Sequence, residues 1–376
     1  MGRCADLFEP ERQFGEIATD VEIERALADG AWVIFNLSGG KDCGAVASRT
    51  IRYLDRMGHP REKRFAIHAD LGRAEHTFNT EQVEAQAQAL GLRLDVVRAK
   101  SGDLVDRFEN RWKLGLEAYV DLRLYNLRGP WASPSLKFCQ SEKKIQVMGP
   151  HLARVLRGKT IINVVGIRRE ESTGRAKTPV AKIDTRFAKP GNRHGTKMML
   201  WHPGVYMLQD EVFEINRRDR VPLSPIYGLG ATRHSCAMCI MGSLNDLAVG
   251  AEAHPWLFRH YVEMEASTTF SFQAGRWLAD IRPDLLTSGL RADIERAKVK
   301  CAERRDIEAS LPARHRFVKG WPLYLPSLDE ANLIASGRTK ILAHHNAPNA
   351  YPSGRSVRDR FDELLSQKAQ SEKRAA

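Results

Sequence analysis

Residues 36–44, Asn-Leu-Ser-Gly-Gly-Lys-Asp-Cys-Gly, follow the apolar run 31–35 and precede a helical pattern. This junction restricts the fold more than any other stretch. Gly39 and Gly40 lack a Cβ, so consecutive backbone N–H groups can turn toward one anion, and the following helix adds the positive end of its dipole. Lys41 supplies a full charge at the same point. A Walker A loop would place four residues between its glycines and Ser or Thr after its Lys, whereas Lys41 is followed by Asp42. An ordinary glycine-rich turn between a strand and a helix is the plain alternative.

The surroundings support a phosphate cradle. Val46, Thr50, Ile51, Leu54 and Met57 recur at helical spacing, and Gly58 with Pro60 marks the stop. Residues 64–69 read as a second strand ending at Asp70-Leu71-Gly72, residues 80–90 as a helix closed by Gly91, and residues 92–97 as a third strand. Strands alternating with helices of this length predict βαβ units and a mostly parallel sheet, whose ligands sit beyond the carboxyl ends of the strands. The loop at 38–42 and Asp70 both fall at such ends. Asp42 can hold Mg²⁺ against pyrophosphate or cap the helix, and Asp70 can position Mg²⁺ or serve as a turn residue.

Residues 160–165 form an apolar, β-branched run that empties into Gly166-Ile167-Arg168-Arg169-Glu170-Glu171-Ser172, with Arg175 close behind. The guanidinium forks of Arg168 and Arg175 can bind two phosphate oxygens together and neutralise charge at an α-phosphate; a solvated charge run is the alternative. From 168 to 197, Arg and Lys crowd among Gly, Pro and Thr, predicting a long mobile loop. Its positive charge exceeds what one nucleotide needs, so it is expected to border a path for a polyanion, DNA or RNA. After residue 245 the pattern turns helical, at 256–264, 291–311, 329–336 and 357–365, with a frayed charged tail at 368–376.

With 376 residues, 43% of them apolar, the chain can bury a sizeable core. No apolar run approaches the roughly 18 residues of a membrane span. The opening MGRCADLFEPERQ lacks a signal-like hydrophobic region, and Asp6 stands where myristoylation wants Ser or Thr, so a cytoplasmic protein is expected. A formal charge of +12 and a pI near 9.5 favour anionic partners. Six cysteines are too few for a disulfide scaffold, and Cys236 with Cys239 form a C-x-x-C suited to metal or redox chemistry.

SGGKDC at 38–43 resembles the PP-loop, where SGGxDS grips the β,γ-pyrophosphate of ATP while the α-phosphorus is attacked; Cys43 stands in place of that Ser. Together with HADLG at 68–72, FCQSEKK at 138–144, GIRREES at 166–172, DEVFEIN at 210–216 and PIYGLGATRHSCAMC at 225–239, it resembles phosphoadenosine phosphosulfate (PAPS) reductase-like proteins and their DndC-like relatives. The resemblance covers about residues 30–245. It implies an adenine nucleotide α-hydrolase-like α/β fold, a parallel sheet sandwiched by helices, over residues 31–245, between an extension at 1–30 and a helical region at 246–376. It implies an ATP pyrophosphatase that binds ATP or a sulfonucleotide with Mg²⁺ and draws on a sulfur donor protein such as a cysteine desulfurase. Ser38, Gly39, Gly40, Lys41, Asp42, Cys43, Asp70, Gly166 and Arg168 would contact the nucleotide, with Lys41, Asp42, Arg168 and Arg175 catalytic.

By the same resemblance, Cys139, Cys236 and Cys239 match metal-cluster cysteines of iron-sulfur members. Three thiolates are one short of a Cys₄ set, so a [4Fe-4S] centre would need an outside ligand: His234, Cys301 or substrate. Zn²⁺ with His234 is an alternative, and inert buried thiols are another. Cys4 and Cys301 read as small hydrophobes. Tyr227, Tyr206 and Trp201 can stack on a base or pack in the core. A thioredoxin-dependent sulfonucleotide reductase would need a nucleophilic Cys near its C-terminus, and the sequence closes SQKAQSEKRAA, so the pyrophosphatase expectation leads. A catalytically impaired nucleotide-sensing, nucleic-acid-binding defence component is the remaining alternative, with Cys43 as its support.

Overall fold

Alternation along the first strand sets the architecture of the nucleotide-binding part. Val33 and Phe35 enter one apolar cluster with Ile162, Val164, Met199 and Trp201, while Ile34 enters another with Ile67, Ile161 and Met198. Both faces of the sheet are therefore buried, which explains strands that read as continuous apolar runs. The strands are β1 (Trp32–Asn36), β2 (Arg64–Asp70), β3 (Leu94–Arg98), β4 (Thr160–Val164), β5 (Ala181–Ile183) and β6 (Lys197–Trp201), in the order β3-β2-β1-β4-β6-β5. All neighbours are parallel except β5, which runs antiparallel to β6. The computed structural model describes residues 13–375; Cys4 and Asp6 lie outside the described residues.

The chain divides into two compact units, Met1–Leu104 with Lys137–Gly250, and Val105–Leu136 with Ala251–Ala376. In the first, α1 (Val21–Ala28), α2 (Lys41–Arg56) and α3 (Asn79–Ala89) give buried residues to the same cluster as Val33. After α4 (Leu104–Val120), the short α5 (Phe138–Gln140) runs through a π turn at Ser141–Ile145 into α6 (Gln146–Val155). Leu152 and Leu156 cover the Ile34 face. Val212 and Ile215 of α7 (Gln209–Asp219) return to the first face. The sheet with helices on both faces is the α/β arrangement the resemblance implies.

The second unit is helical. It contains α9 (Pro255–Thr268), α10 (Ser288–Ser310), α11 (Leu328–His344) and α12 (Gly354–Ala375), following α8 (Leu244–Ala253). It also takes in residues 105–136, which the sequence reading assigns to the nucleotide-binding domain. The reason is burial: Leu122 and Tyr125 pack with Ile334, Val357 and Phe361, and Tyr119, Leu124 and Leu127 with Ile341 and Leu342. Arg338, fully buried, donates to the carbonyls of Tyr119 and Val120 at the end of α4. That tie joins the early segment to α11.

Two further expectations change. Residues 168–197 are not one irregular loop, because they include a 3-10 turn at Arg169–Glu171 and strand β5, secured by Asp184 N–H donating to the Met198 carbonyl at 2.8 Å. The tail from 368 is helical through Ala375, and Lys368 Nζ donates to the Gly320 carbonyl at 2.6 Å. Among the described residues no helix is long and apolar enough to cross a membrane.

Candidate active site

The glycine loop connects β1 to α2 at the carboxyl end of the sheet. Gly39 has φ +84°, and a Cβ there would lie 2.6 Å from Asn79 Oδ1 and 3.0 Å from His234 Nε2, so geometry and space both demand glycine. Its carbonyl is held from behind by α3. Gln86 Nε2 donates to the carbonyls of Gly39 and Gly40 at 3.3 and 3.2 Å, and Gln82 Nε2 to that of Gly39 at 3.4 Å. Gly40 has no side chain to cap α2, so the first-turn N–H groups beyond that of Lys41, which Tyr227 OH accepts, remain suited to an anion. Asn216 of α7 secures the next residue by donating to the Lys41 carbonyl at 2.8 Å.

Lys41 is buried, with its ammonium 3.4 Å from Asp42 and 5.4 Å from the ring centres of both Phe213 and Tyr227. Tyr227 OH accepts from Lys41 N–H at 3.1 Å. Tyr227 thus braces the loop. Of the other two aromatic candidates, Trp201 is core and Tyr206 lies under the Arg169 guanidinium. Arg168 is buried and committed to carboxylates, donating to Asp42 Oδ1 at 2.6 Å and pairing with Glu170. Arg175 pairs with Glu171, and burial followed by the nearby Arg233 charge lowers its pKa. Gly166 permits this approach of β4 to α2: a Cβ there would sit 2.9 Å from the Cys43 backbone.

Cys43 serves the loop internally. Its sulfur accepts from Ser38 N–H at 3.3 Å and donates to the Gly40 carbonyl at 3.1 Å, while burial raises the thiol pKa. Asp70 is the residue the structure leaves aside. It accepts from Gly72 N–H at 2.6 Å and from Arg98, and it lines neither cavity of the site.

Ser38, Gly40, Lys41, Asp42, Arg175 and Arg233 border a small polar cavity of about 150 Å³. A larger cavity of about 880 Å³ is lined by Ser38, Lys41, Arg168 and Arg175 at one part and by Cys139, Cys236 and Cys239 at another. Its size lies within the roughly 300–1,000 Å³ typical of ligand pockets. His234 links the two regions. Its Nδ1 meets Ser224 Oγ at 2.8 Å and its Nε2 meets Asn79 Oδ1 at 2.9 Å. Burial, helped by the charges of Lys144, His68 and Lys41, pushes its pKa down to about 4, so the ring is neutral at pH 7.

The three thiols share a wall. Burial and the neighbouring Cys239 raise the pKa of Cys139; burial raises that of Cys236, with Lys144 opposing and Cys239 adding. Among the described residues no group of three or more His, Cys, Asp or Glu is arranged to hold a metal ion. His234 has both ring nitrogens engaged, and Cys301 is buried in α10 beside Arg304. As arranged, these residues do not form a ligand set for zinc or a [4Fe-4S] cluster.

The family model for the phosphoadenosine phosphosulfate reductase domain matches residues 33–241, from β1 through the C-x-x-C. The chain belongs to the phosphoadenosine phosphosulfate reductase family. No curated protein matches the chain. Membership in this family makes it a nucleotide-binding protein of the PP-loop superfamily with an adenine nucleotide α-hydrolase-like fold. Sequence reasoning missed Asn79, Gln82, Gln86 and Asn216, which pack against or hold the loop, and Arg233, which lines the cavities beside it. Gln82 and Gln86 stand four apart, hence on one helix face, and that spacing was the available clue. Arg233 immediately precedes His234 in a motif otherwise read for its cysteines.

Proposed function

We propose that the chain is an ATP pyrophosphatase that activates an acceptor for sulfur transfer or nucleic-acid modification. The N-terminal end of α2 and Lys41 hold the β,γ-pyrophosphate, and Arg175 with Arg233 faces the negative charge on the phosphates. An acceptor oxygen attacks the α-phosphorus, forming a new P–O bond as the bond to the β-phosphate oxygen breaks. Pyrophosphate leaves with that electron pair, and the acceptor carries AMP until it is displaced. Asp42, already beside Lys41 and Arg168, would be the carboxylate that meets Mg²⁺, which supplies charge neutralisation on the phosphates. The acceptor's incoming sulfur donor would reach the same cavity.

The single observation supporting this reading is the continuous lining of the large cavity, which runs from Ser38 and Lys41 to three thiols. A phosphate grip and sulfur-bearing side chains facing one space suit group transfer better than simple nucleotide storage. Incubating the anaerobically purified protein with Mg·ATP and candidate acceptors, then quantifying products by chromatography, tests it. AMP and pyrophosphate are expected, and both should disappear in Lys41→Ala and Asp42→Ala. Orthophosphate release would mean cleavage at the γ position and a different enzyme. Thioredoxin-dependent sulfite release from a sulfonucleotide would identify the reductase, which the same thiol wall also suits. Nucleotide binding without turnover would leave a sensor.

A further inference from the structure

The segment after Gly166 carries a charge surplus that the nucleotide site does not absorb. Its three carboxylates are all occupied: Glu170 pairs with Arg168, Glu171 with Arg175 and Asp184 with Arg186. Lys182, Lys189, Arg193 and Lys197 are exposed; Lys182 adds to the positive charge near Asp184, which Arg186 already pairs, and the other three form no ion pair with a carboxylate among the described residues. The turn before β4 adds Arg157 and Lys159, also exposed and without a carboxylate ion pair among the described residues. Two contacts bring that turn to the loop: Gly158 N–H donates to Thr196 Oγ1 at 2.9 Å and Lys197 N–H to the Lys159 carbonyl at 3.1 Å.

Topology turns these charges into a line. Among the described residues, strand β5 pairs only with β6 and runs against it, with Ala181 opposite Trp201 and Ile183 opposite Met199. The chain therefore travels from the carboxyl ends of the parallel strands, where the phosphate loop lies, toward their amino ends at Thr160 and Lys197. Five residues of β6 alone cover about 16 Å at roughly 3.3 Å each. A single nucleotide held at the loop cannot neutralise cations at the opposite end of the sheet.

We propose that this open edge, from Lys182 to Lys197 together with Arg157 and Lys159, is a docking rail for the phosphodiester backbone of a nucleic acid. Naming that nucleic acid as the acceptor rests on the proposed activation chemistry, but the docking does not. The rail reads no base sequence, because it offers charge along a strand edge and no side chains set to enter a groove.

Fluorescence anisotropy of the full chain with a labelled 20-nucleotide single strand, titrated from 50 to 300 mM KCl, tests the rail. Affinity should fall with a log-log slope of about 0.7 per phosphate contact. Lys189→Glu combined with Arg193→Glu should weaken binding about tenfold or more at 100 mM salt and flatten the slope, with Mg·ATP binding unchanged. Lys159→Glu should do the same more weakly. Oligonucleotide binding that survives in Lys41→Ala while ATP binding is lost would support the rail separately from the ATP chemistry. Absent or salt-insensitive binding, or equal binding by wild type and both rail variants, overturns the proposal. So does binding to phosphatidylserine vesicles with none to the oligonucleotide.

Discussion

Arg168 Nε donates to Asp42 Oδ1 at 2.6 Å, joining residues 126 positions apart and locking the end of β4 against the start of α2. The Arg168 side chain is 3% exposed and that of Asp42 18%. Removing one partner of such a pair leaves the other charge poorly solvated, at a cost of about 3–5 kcal/mol. Arg168→Ala is expected below that range, because Asp42 keeps some water and the Lys41 ammonium 3.4 Å away. Arg168→Lys should recover only part, since an ammonium cannot fork between Asp42 and Glu170. Urea unfolding of the three proteins measures the ranking.

Gln86 offers a cleaner test of the phosphate grip, because it is buried behind the loop and lines neither cavity. Gln86→Leu removes a donor shared by the Gly39 and Gly40 carbonyls while roughly keeping volume; Gln82 and the Cys43 thiol still reach those carbonyls, so the cost is about 1 kcal/mol. ATP affinity by calorimetry should fall, whereas binding through the outer basic edge should not. An unchanged ATP affinity would show that the helix end alone organises the loop.

The buried His234 sets a pH dependence. Its pKa is pushed down to about 4 in the folded protein, against about 6.5 for an unfolded histidine. Between these values the unfolded chain binds a proton that the folded chain does not, so stability is present above pH 6.5 and is lost as pH falls toward 4. His234→Gln lacks this titration. The stability gap between wild type and variant should therefore narrow as pH drops from 7 to 5, measured by denaturant unfolding.

The thiol wall makes a compositional prediction. Because Cys139, Cys236 and Cys239 are not arranged as a ligand set, protein purified in air should carry well under one iron or zinc per chain. Elemental analysis with absorption spectra decides. Full zinc occupancy in air would show that the thiols close around an ion without reconstitution.

The place of the glycine loop between β1 and α2 was legible because its signals are local: two glycines, a lysine and a strand-to-helix junction lie within a few residues. The parallel strands were legible for a related reason, since a strand buried on both faces is apolar at most positions, as Ile161, Ile162 and Val164 are in β4. Gln82, Gln86 and Asn216 escaped notice because amides on a helix surface look solvated until the fold brings a backbone carbonyl against them. Asp70 makes the turn contact its Asp-Leu-Gly setting suggested, whereas nothing near it in sequence reveals Arg98. The role of Tyr227 as a brace under Lys41 also needed the third dimension.

The interrupted course of the helical unit has a consequence for synthesis. A ribosome releases residues 105–136 long before α11 and α12 exist. Leu122 and Tyr125 must wait without the partners that later bury them. The nascent chain thus carries a sticky segment through most of its own translation, and its yield in a cell should depend on chaperones that shield apolar stretches. Excising only the family-matched span would make that wait permanent.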